Sequence, residues 1–216
     1  MHNIMKRFIS IIAACICFAN FVKAGTTDIT GIDNVIYITP VKADAGETKA
    51  LSICMKNKAE IRGFQFDLYL PDGVTIAVNK KGKMLVSLNS SRLDEDDEHS
   101  ILVEQQEDSS YRFLCNSMYE ETFLGNDGEI ATVTLNIDAS MADGVYPVVI
   151  KNQKLSETDI SKHYETELVE TTMTIGNPEV DPAFRRGDAN GDGVINMQDV
   201  MFIVNYILKG KFPDEE

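Results

Sequence analysis

Between Ile61 and Leu70 apolar and polar side chains alternate. Phe64, Phe66, Leu68 and Leu70 fall on one side, Gln65, Asp67 and Tyr69 on the other, until Pro71-Asp72-Gly73 ends the run. Period two of that regularity predicts a strand with one buried and one wet face. Ala131, Val133, Leu135 and Ile137 repeat the pattern against Thr132, Thr134 and Asn136, just after the turn-forming Gly125-Asn126-Asp127-Gly128. Weaker alternation marks strands over 35–41, 50–56, 75–78, 101–105, 111–116, 145–150 and 167–175. About nine short strands with turns between them, and no helical period among them, predict an all-β antiparallel sandwich over residues 25–176.

The two ends of the chain follow other rules. Lys6 and Arg7 make residues 1–7 basic, residues 8–22 are apolar apart from Ser10 and Asn20, and Val22-Lys23-Ala24 reads as a cleavage site. That order predicts an export signal over 1–24 and a mature chain from Gly25. An apolar run of 15 residues also falls short of the ~20 that a membrane-spanning helix needs. Ile12-Ala13-Ala14-Cys15 offers a second processing route, ending in a lipidated Cys15. Either route exports the protein to an extracellular, periplasmic or cell-surface location.

At the other end, residues 177–186 hold Pro178, Pro182 and several charges and read as a short, stiff linker. Then Asp188, Asn190 and Asp192, with Gly193 after them, fit the calcium-loop pattern D-x-[DN]-x-[DN]-G. Oxygen side chains fall at loop positions 1, 3, 5, 9 and 12, as Asp188, Asn190, Asp192, Asn196 and Asp199, and Val194 at position 7 offers its carbonyl. Carboxylates gathered in one loop repel each other unless a dication sits between them, which points to Ca2+ as cofactor. Ile195 alternates inward and is expected to anchor the loop to a core. Residues 200–208 then run Val-Met-Phe-Ile-Val-Asn-Tyr-Ile-Leu, with Asn205 alone polar, before Gly210 and Pro213 end the segment. A helix apolar nearly all round is buried on several sides. One loop and one helix cannot do that alone, so the sandwich, a second copy of the chain or another protein must cover it.

Charge narrows the partners. The chain has 34 Asp and Glu against 20 Lys and Arg, and loss of residues 1–24 removes Lys6, Arg7 and Lys23, leaving 17 basic against 34 acidic residues, or −17. Nucleic acid is excluded as a partner on that ground. Asp94 to Glu98 form an unbroken acidic run, which without alternating spacing or a turn glycine reads as a solvated loop. His99 and His163 lack metal-ligand neighbours. Cys54 and Cys115 remain after export, and whether they pair is left open, although strand parity places Cys54 outward.

The segment GDANGDGVINMQDVMFIVNYIL, residues 187–208, closely resembles one repeat of a type I dockerin. The resemblance implies a Ca2+-binding EF-hand-like loop–helix, over 187–212, that attaches secreted proteins to cohesin modules. By position it makes Asp188, Asn190, Asp192, Val194, Asn196 and Asp199 the metal site. It also places Met197, Gln198, Val204 and Asn205 where dockerins meet their partners, and with Met201 these form the candidate contact set. Ordinary dockerins often carry small hydroxyl residues at the first two of those positions and basic residues at the last two. They also have a second repeat. Residues 33–175 resemble, more weakly, the cohesin-like jelly roll shared with carbohydrate-binding sandwiches, through Ala45-Gly46-Glu47-Thr48, Gly63-Phe64-Gln65-Phe66-Asp67-Leu68 and Gly125-Asn126-Asp127-Gly128-Glu129-Ile130. Secreted proteins of gut Bacteroidetes are similar in overall arrangement.

The expected function is therefore non-catalytic assembly in extracellular or surface polysaccharide handling. Its protein partner, reached by a cohesin–dockerin-type contact, is intramolecular, homodimeric or heterologous. The alternatives are a carbohydrate-binding module, which lacks Trp but has outward Tyr37 and Tyr69, and a polysaccharide-degrading accessory, for which no G-x-S-x-G, H-E-x-x-H or Cys–His set is present.

Overall fold

In the computed structural model, which describes residues 26–96, 98–159, 161–178, 187, 189–190 and 195–209, the alternating segments pair into two facing sheets. The expected export signal, Cys15, most of the linker, and Asp188, Asp192 and Val194 lie outside the described residues. One sheet runs β1 (Asn34–Ile38), β3 (Thr48–Asn57) and β9 (Glu129–Ile137), and the far edge of β9 is shared by β5 (Val74–Ile76) and β6 (Val86–Leu88). The other runs β2 (Val41–Ala43), β11 (His163–Ile175), β10 (Gly144–Glu157), β4 (Ile61–Tyr69), β8 (Tyr111–Ser117) and β7 (His99–Gln105). Every pair is antiparallel except β2 with β11. The expected antiparallel sandwich is the fold observed.

The alternation does the packing. Phe64, Phe66 and Leu68 of β4, Phe113 and Cys115 of β8, and Val133 and Leu135 of β9 are all nearly or wholly enclosed. Phe66 stacks on Phe113 with ring centroids 4.6 Å apart, and Phe64 on Phe66 at 5.8 Å. Each such side chain contributes about 1.5–3 kcal/mol of hydrophobic stabilisation, offset by the entropy of ordering it. Gly63 lets β4 and β8 close up, because a Cβ there would lie 2.7 Å from the Cys115 carbonyl oxygen.

Four strands, β1, β2, β6 and β10, differ most from the alternation-based expectation. The segment expected over 35–41 splits at Thr39-Pro40: Pro40 has no N–H for a ladder, and the chain crosses there from one sheet to the other. β6 and β2 are only three residues long, too short to show a period. β10 extends to Glu157, well past Ile150, through a polar stretch that reads as a loop.

That stretch contains a bulge. Between the register pairs Lys151–Asp67 and Lys154–Gln65, Asn152 and Gln153 together oppose a single residue of β4, and Asn152 has φ +54°. The extra residue sends two neighbouring amides to opposite faces. Gln153 points into the core, 2 % exposed, where it accepts the Ile36 N–H at 2.8 Å and donates to the Ile36 carbonyl at 2.9 Å. Among the described strands β1 pairs only with β3, so Gln153 serves as a one-residue strand for its other edge.

Candidate calcium loop and docking helix

α1 (Met197–Lys209) begins at a reciprocal cap. The Asn196 Oδ1 accepts the Gln198 N–H at 2.6 Å, while the Asp199 Oδ2 accepts the Asn196 N–H at 2.7 Å. This is a capping box with Asn and Asp in its two places. The Asp199 Oδ1 accepts the Ala189 N–H at 2.8 Å and the Asn190 N–H at 3.3 Å, which joins the start of the loop to the start of the helix. Asp199 is 1 % exposed, and these N–H bonds, led by that from Asn196, hold its carboxyl below the ordinary Asp range. Proximity to the positive end of the helix acts in the same sense.

The donor set fits a hard cation. Asp199 is turned inward onto the loop, Asn190 and Asn196 bring amide oxygens to the same segment, and Asp188 and Asp192 belong to it by sequence. Bound there, Ca2+ would neutralise the repulsion among the carboxylates and hold the loop against the first turn of α1. Among the described residues no group of three or more His, Cys, Asp or Glu gathers at a metal distance.

Asp199 is the one buried residue of the loop–helix among those described. Ile195, expected to anchor the loop inward, is instead 61 % exposed: it rests beside Gly187 and otherwise meets solvent, since no core lies beneath the described part of the loop. Phe202 is half-buried and Tyr206 lies on the other side of α1, whereas Met197, Val200, Met201, Ile203, Val204, Ile207 and Leu208 are exposed by 38 % at Val204 to 76 % at Leu208. They fall into two adjoining stripes. Val200, Ile203, Val204 and Ile207 recur at i, i+3, i+4 and i+7, and Met197, Met201 and Leu208 run alongside. At 100° per residue the stripes together span an arc of about 160°. The candidate contact residues Met197, Gln198, Met201 and Asn205 line a shallow cleft of about 350 Å3 with Asn190 and Phe202, while Val204 stands apart in the neighbouring stripe.

On the sandwich, sequence reasoning missed two polar centres. Arg92 is 5 % exposed, closing a short 3₁₀ turn (Ser90–Arg92). It donates to the carbonyls of Leu124, Met55 and Gly128 and to the Asn57 Oδ1. Burial pulls its guanidinium below the ordinary value, although the Asp127 charge opposes this. The second centre is Asp67 on the outer face of β4, whose carboxylate accepts from the Arg112 Nε at 2.7 Å, the Arg112 Nη2 at 2.9 Å and the Asn152 amide at 2.8 Å. The Arg112 bonds hold the Asp67 carboxyl below its ordinary value. Beside it the Tyr69 hydroxyl donates to Asp108, and the Lys151 Nζ sits 4.7 Å over the Tyr69 ring. The Tyr37 hydroxyl likewise donates to Asp127, and burial raises its pKa. A polar groove of about 620 Å3 adjoins this centre, lined by Gln65, Asn152, Gln153, Lys154, Glu165, Thr166 and Glu167. Cys54 and Cys115 are both buried and are not joined by a disulfide. Cys54, expected outward, lies opposite Tyr37 at a bulge that also leaves Ile53 and Met55 buried.

Residues 186–216 match the dockerin type I domain. The dockerin match thus spans the capped loop, α1 and the residues after it. The sandwich is similar in fold to solved cohesins. A chain of the Coh-OlpA–Doc918 complex, a type I cohesin–dockerin complex from Clostridium thermocellum, is 16 % identical, with a TM-score of 0.53 over 66 % of this chain and 99 % of that one. CaCohA2 from Clostridium acetobutylicum is 12 % identical, with a TM-score of 0.53 over 66 % of this chain and 90 % of that one. A non-cellulosomal cohesin from the hyperthermophilic archaeon Archaeoglobus fulgidus is 12 % identical, with a TM-score of 0.51 over 68 % and 94 %. No curated protein matches the chain. No described helix is long and apolar enough to cross a membrane.

Proposed function

We propose that the protein is an exported, non-catalytic assembly component. It comprises a cohesin-like sandwich over residues 25–176, a proline-containing linker over 177–186 and a Ca2+-dependent dockerin-type loop–helix over 187–212. Asp188, Asn190, Asp192, Val194, Asn196 and Asp199 hold the ion, and α1 meets a protein partner through a cohesin–dockerin-type contact in extracellular or surface polysaccharide handling. One observation carries this reading: a buried carboxylate, Asp199, drawn onto loop N–H groups at the foot of an exposed apolar helix. Structural helices cover their apolar face within the chain, whereas docking helices leave it open.

Calorimetric titration of the chelator-stripped chain with Ca2+ tests it. One ion should bind per chain, Asp188→Ala should abolish uptake, and immobilised type I cohesin should retain the chain only when Ca2+ is present. Equal heats from the parent chain and Asp188→Ala would overturn the metal site. Retention that ignores Ca2+ would overturn the docking role. The polar groove beside Asn152 favours a glycan as the second reading, for which retention on insoluble polysaccharide is the corresponding assay.

A further inference from the structure

We infer that the outer face of β11, β10, β4 and β8 carries a binding site for a neutral polysaccharide chain, laid across the strands from Thr166 over Gln65 and Asn152 to Arg112. The inference rests on the glycan reading given above, which it makes specific in place and in class, and it takes nothing from the calcium loop.

The site is a trough centred on the bulge. The groove of about 620 Å3 that runs from β11 to β4 meets a second of about 440 Å3, which continues over Asp67, Tyr69 and Arg112 to the turn between β7 and β8, and Asn152 lines both. Each has the volume of a small-molecule site. Four neighbouring strands at about 4.8 Å spacing make the trough about 14 Å long, the length of a short oligosaccharide rather than of one sugar ring. Its floor is fixed in advance. Asp67, 2 % exposed, accepts from the Arg112 Nε and Nη2 and from the Asn152 amide nitrogen, so two of the exposed groups are positioned before any ligand arrives.

The lining selects the ligand. Among the described residues the Gln65 amide, the Asn152 Oδ1, the Thr166 hydroxyl and the Arg112 Nη1 carry no hydrogen bond, and all four line the trough. Amides and hydroxyls both donate and accept, as sugar hydroxyls do. The charges, by contrast, are largely matched within the trough: Arg112 by Asp67, Lys154 by Glu165, and Asp108 by hydrogen bonds from Tyr69 and Ser110. The carboxylates left over are Glu167 on β11 and Glu107 in the far turn, at opposite ends. They repel uronate and phosphate chains and leave a neutral, hydroxyl-rich middle. Tyr69 is the one ring in the lining, whereas the centre of a protein interface is apolar and rich in aromatic side chains.

Affinity electrophoresis of the mature full-length chain tests the site, in gels holding a soluble β-glucan, arabinoxylan, galactomannan or polygalacturonate, with Ca2+ and with EDTA. At least one of the three neutral polysaccharides should retard the chain, equally in Ca2+ and in EDTA, and polygalacturonate should not. Asn152→Gly, which accepts the φ of +54° but lacks the amide, and Gln65→Ala should each weaken that binding about tenfold, the loss of one hydrogen-bonding group. Thr75→Ala, on the other sheet, should leave it unchanged, and all three variants should keep the circular dichroism of the folded sandwich. Equal retardation of the parent, Asn152→Gly and Gln65→Ala would overturn the site and leave the glycan reading standing. Retardation by polygalacturonate alone would overturn the neutral class. No retardation by any polysaccharide would overturn the inference and the glycan reading together, and binding of a Ca2+-loaded type I dockerin that the same two variants lose would then make the trough a protein contact.

Discussion

The sandwich and the loop–helix are similar in apolar content and opposite in what they do with it. β4 and β8 hide Phe64, Phe66, Leu68 and Phe113 between two sheets. α1, from a stretch just as apolar, leaves Val200, Ile203, Ile207 and Leu208 in solvent. A strand of period two finds its complement in another strand of the same chain. Among the described residues α1, 13 residues long, has no second α-helix to pack on. The same kinds of side chain are thus covered in one region and exposed in the other. The deciding quantity is the number of partner elements among the described residues.

Four substitutions or treatments would break or sharpen that contrast. The largest effect is expected from Asp199→Ala, which removes the cap of α1, its tie to Ala189 and Asn190 and a proposed ligand together. Helical circular dichroism and Ca2+ uptake should both be lost, with the sandwich melting where it did before. Arg92→Ala should do the reverse. It strips a buried donor from three carbonyls and the Asn57 side chain, costing about 3 kcal/mol, and should lower the sandwich transition without altering Ca2+ affinity.

Gln153→Leu comes next. It keeps the volume but orphans the Ile36 N–H and carbonyl at the buried edge of β1, a loss of about 2 kcal/mol readable in urea midpoints. Smallest is the pair between Asp67 and Arg112, where Arg112→Ala should cost about 1 kcal/mol near pH 7, because the guanidinium is half exposed. Its pH dependence has a definite sign. The Asp67 pKa is lowered in the fold, so the contribution is complete above the unfolded Asp value of about 3.9 and disappears as pH falls through the lower folded value. The stability curves of parent and variant should therefore converge in acid.

Much of this was legible in order of local strength. Alternation in 64–70 and 131–137 carries the pleat, the parity and the buried face, and the loop motif carries the oxygen positions that Asn196 and Asp199 occupy. What escaped depends on distant partners. Arg92 stands two residues before the acidic run 94–98, and nothing local marks it because its four acceptors come from residues 55, 57, 124 and 128. The extension of β10 past Ile150 was hidden because Asn152 and Gln153 obey no single parity: the bulge aims one at Asp67 and the other at Ile36. Cys54 followed the outward parity of its strand, but Tyr37 covers it from β1. The exposure of Ile195 could not be foreseen either, since an inward-pointing residue needs a core to point into.

The parallel contact of β2 with β11 has a mechanical consequence. Val41 lies against Met173 and Ala43 against Ile175, so the start of β2 and the end of β11 leave this pair at opposite ends. A load applied between Val41 and Ile175 would therefore run along the two strands. It strains their hydrogen bonds together, as a lap joint carries shear, rather than opening them one at a time. A protein tethered at one end and holding a partner through its C-terminal helix would meet drag from flowing fluid in that stronger direction.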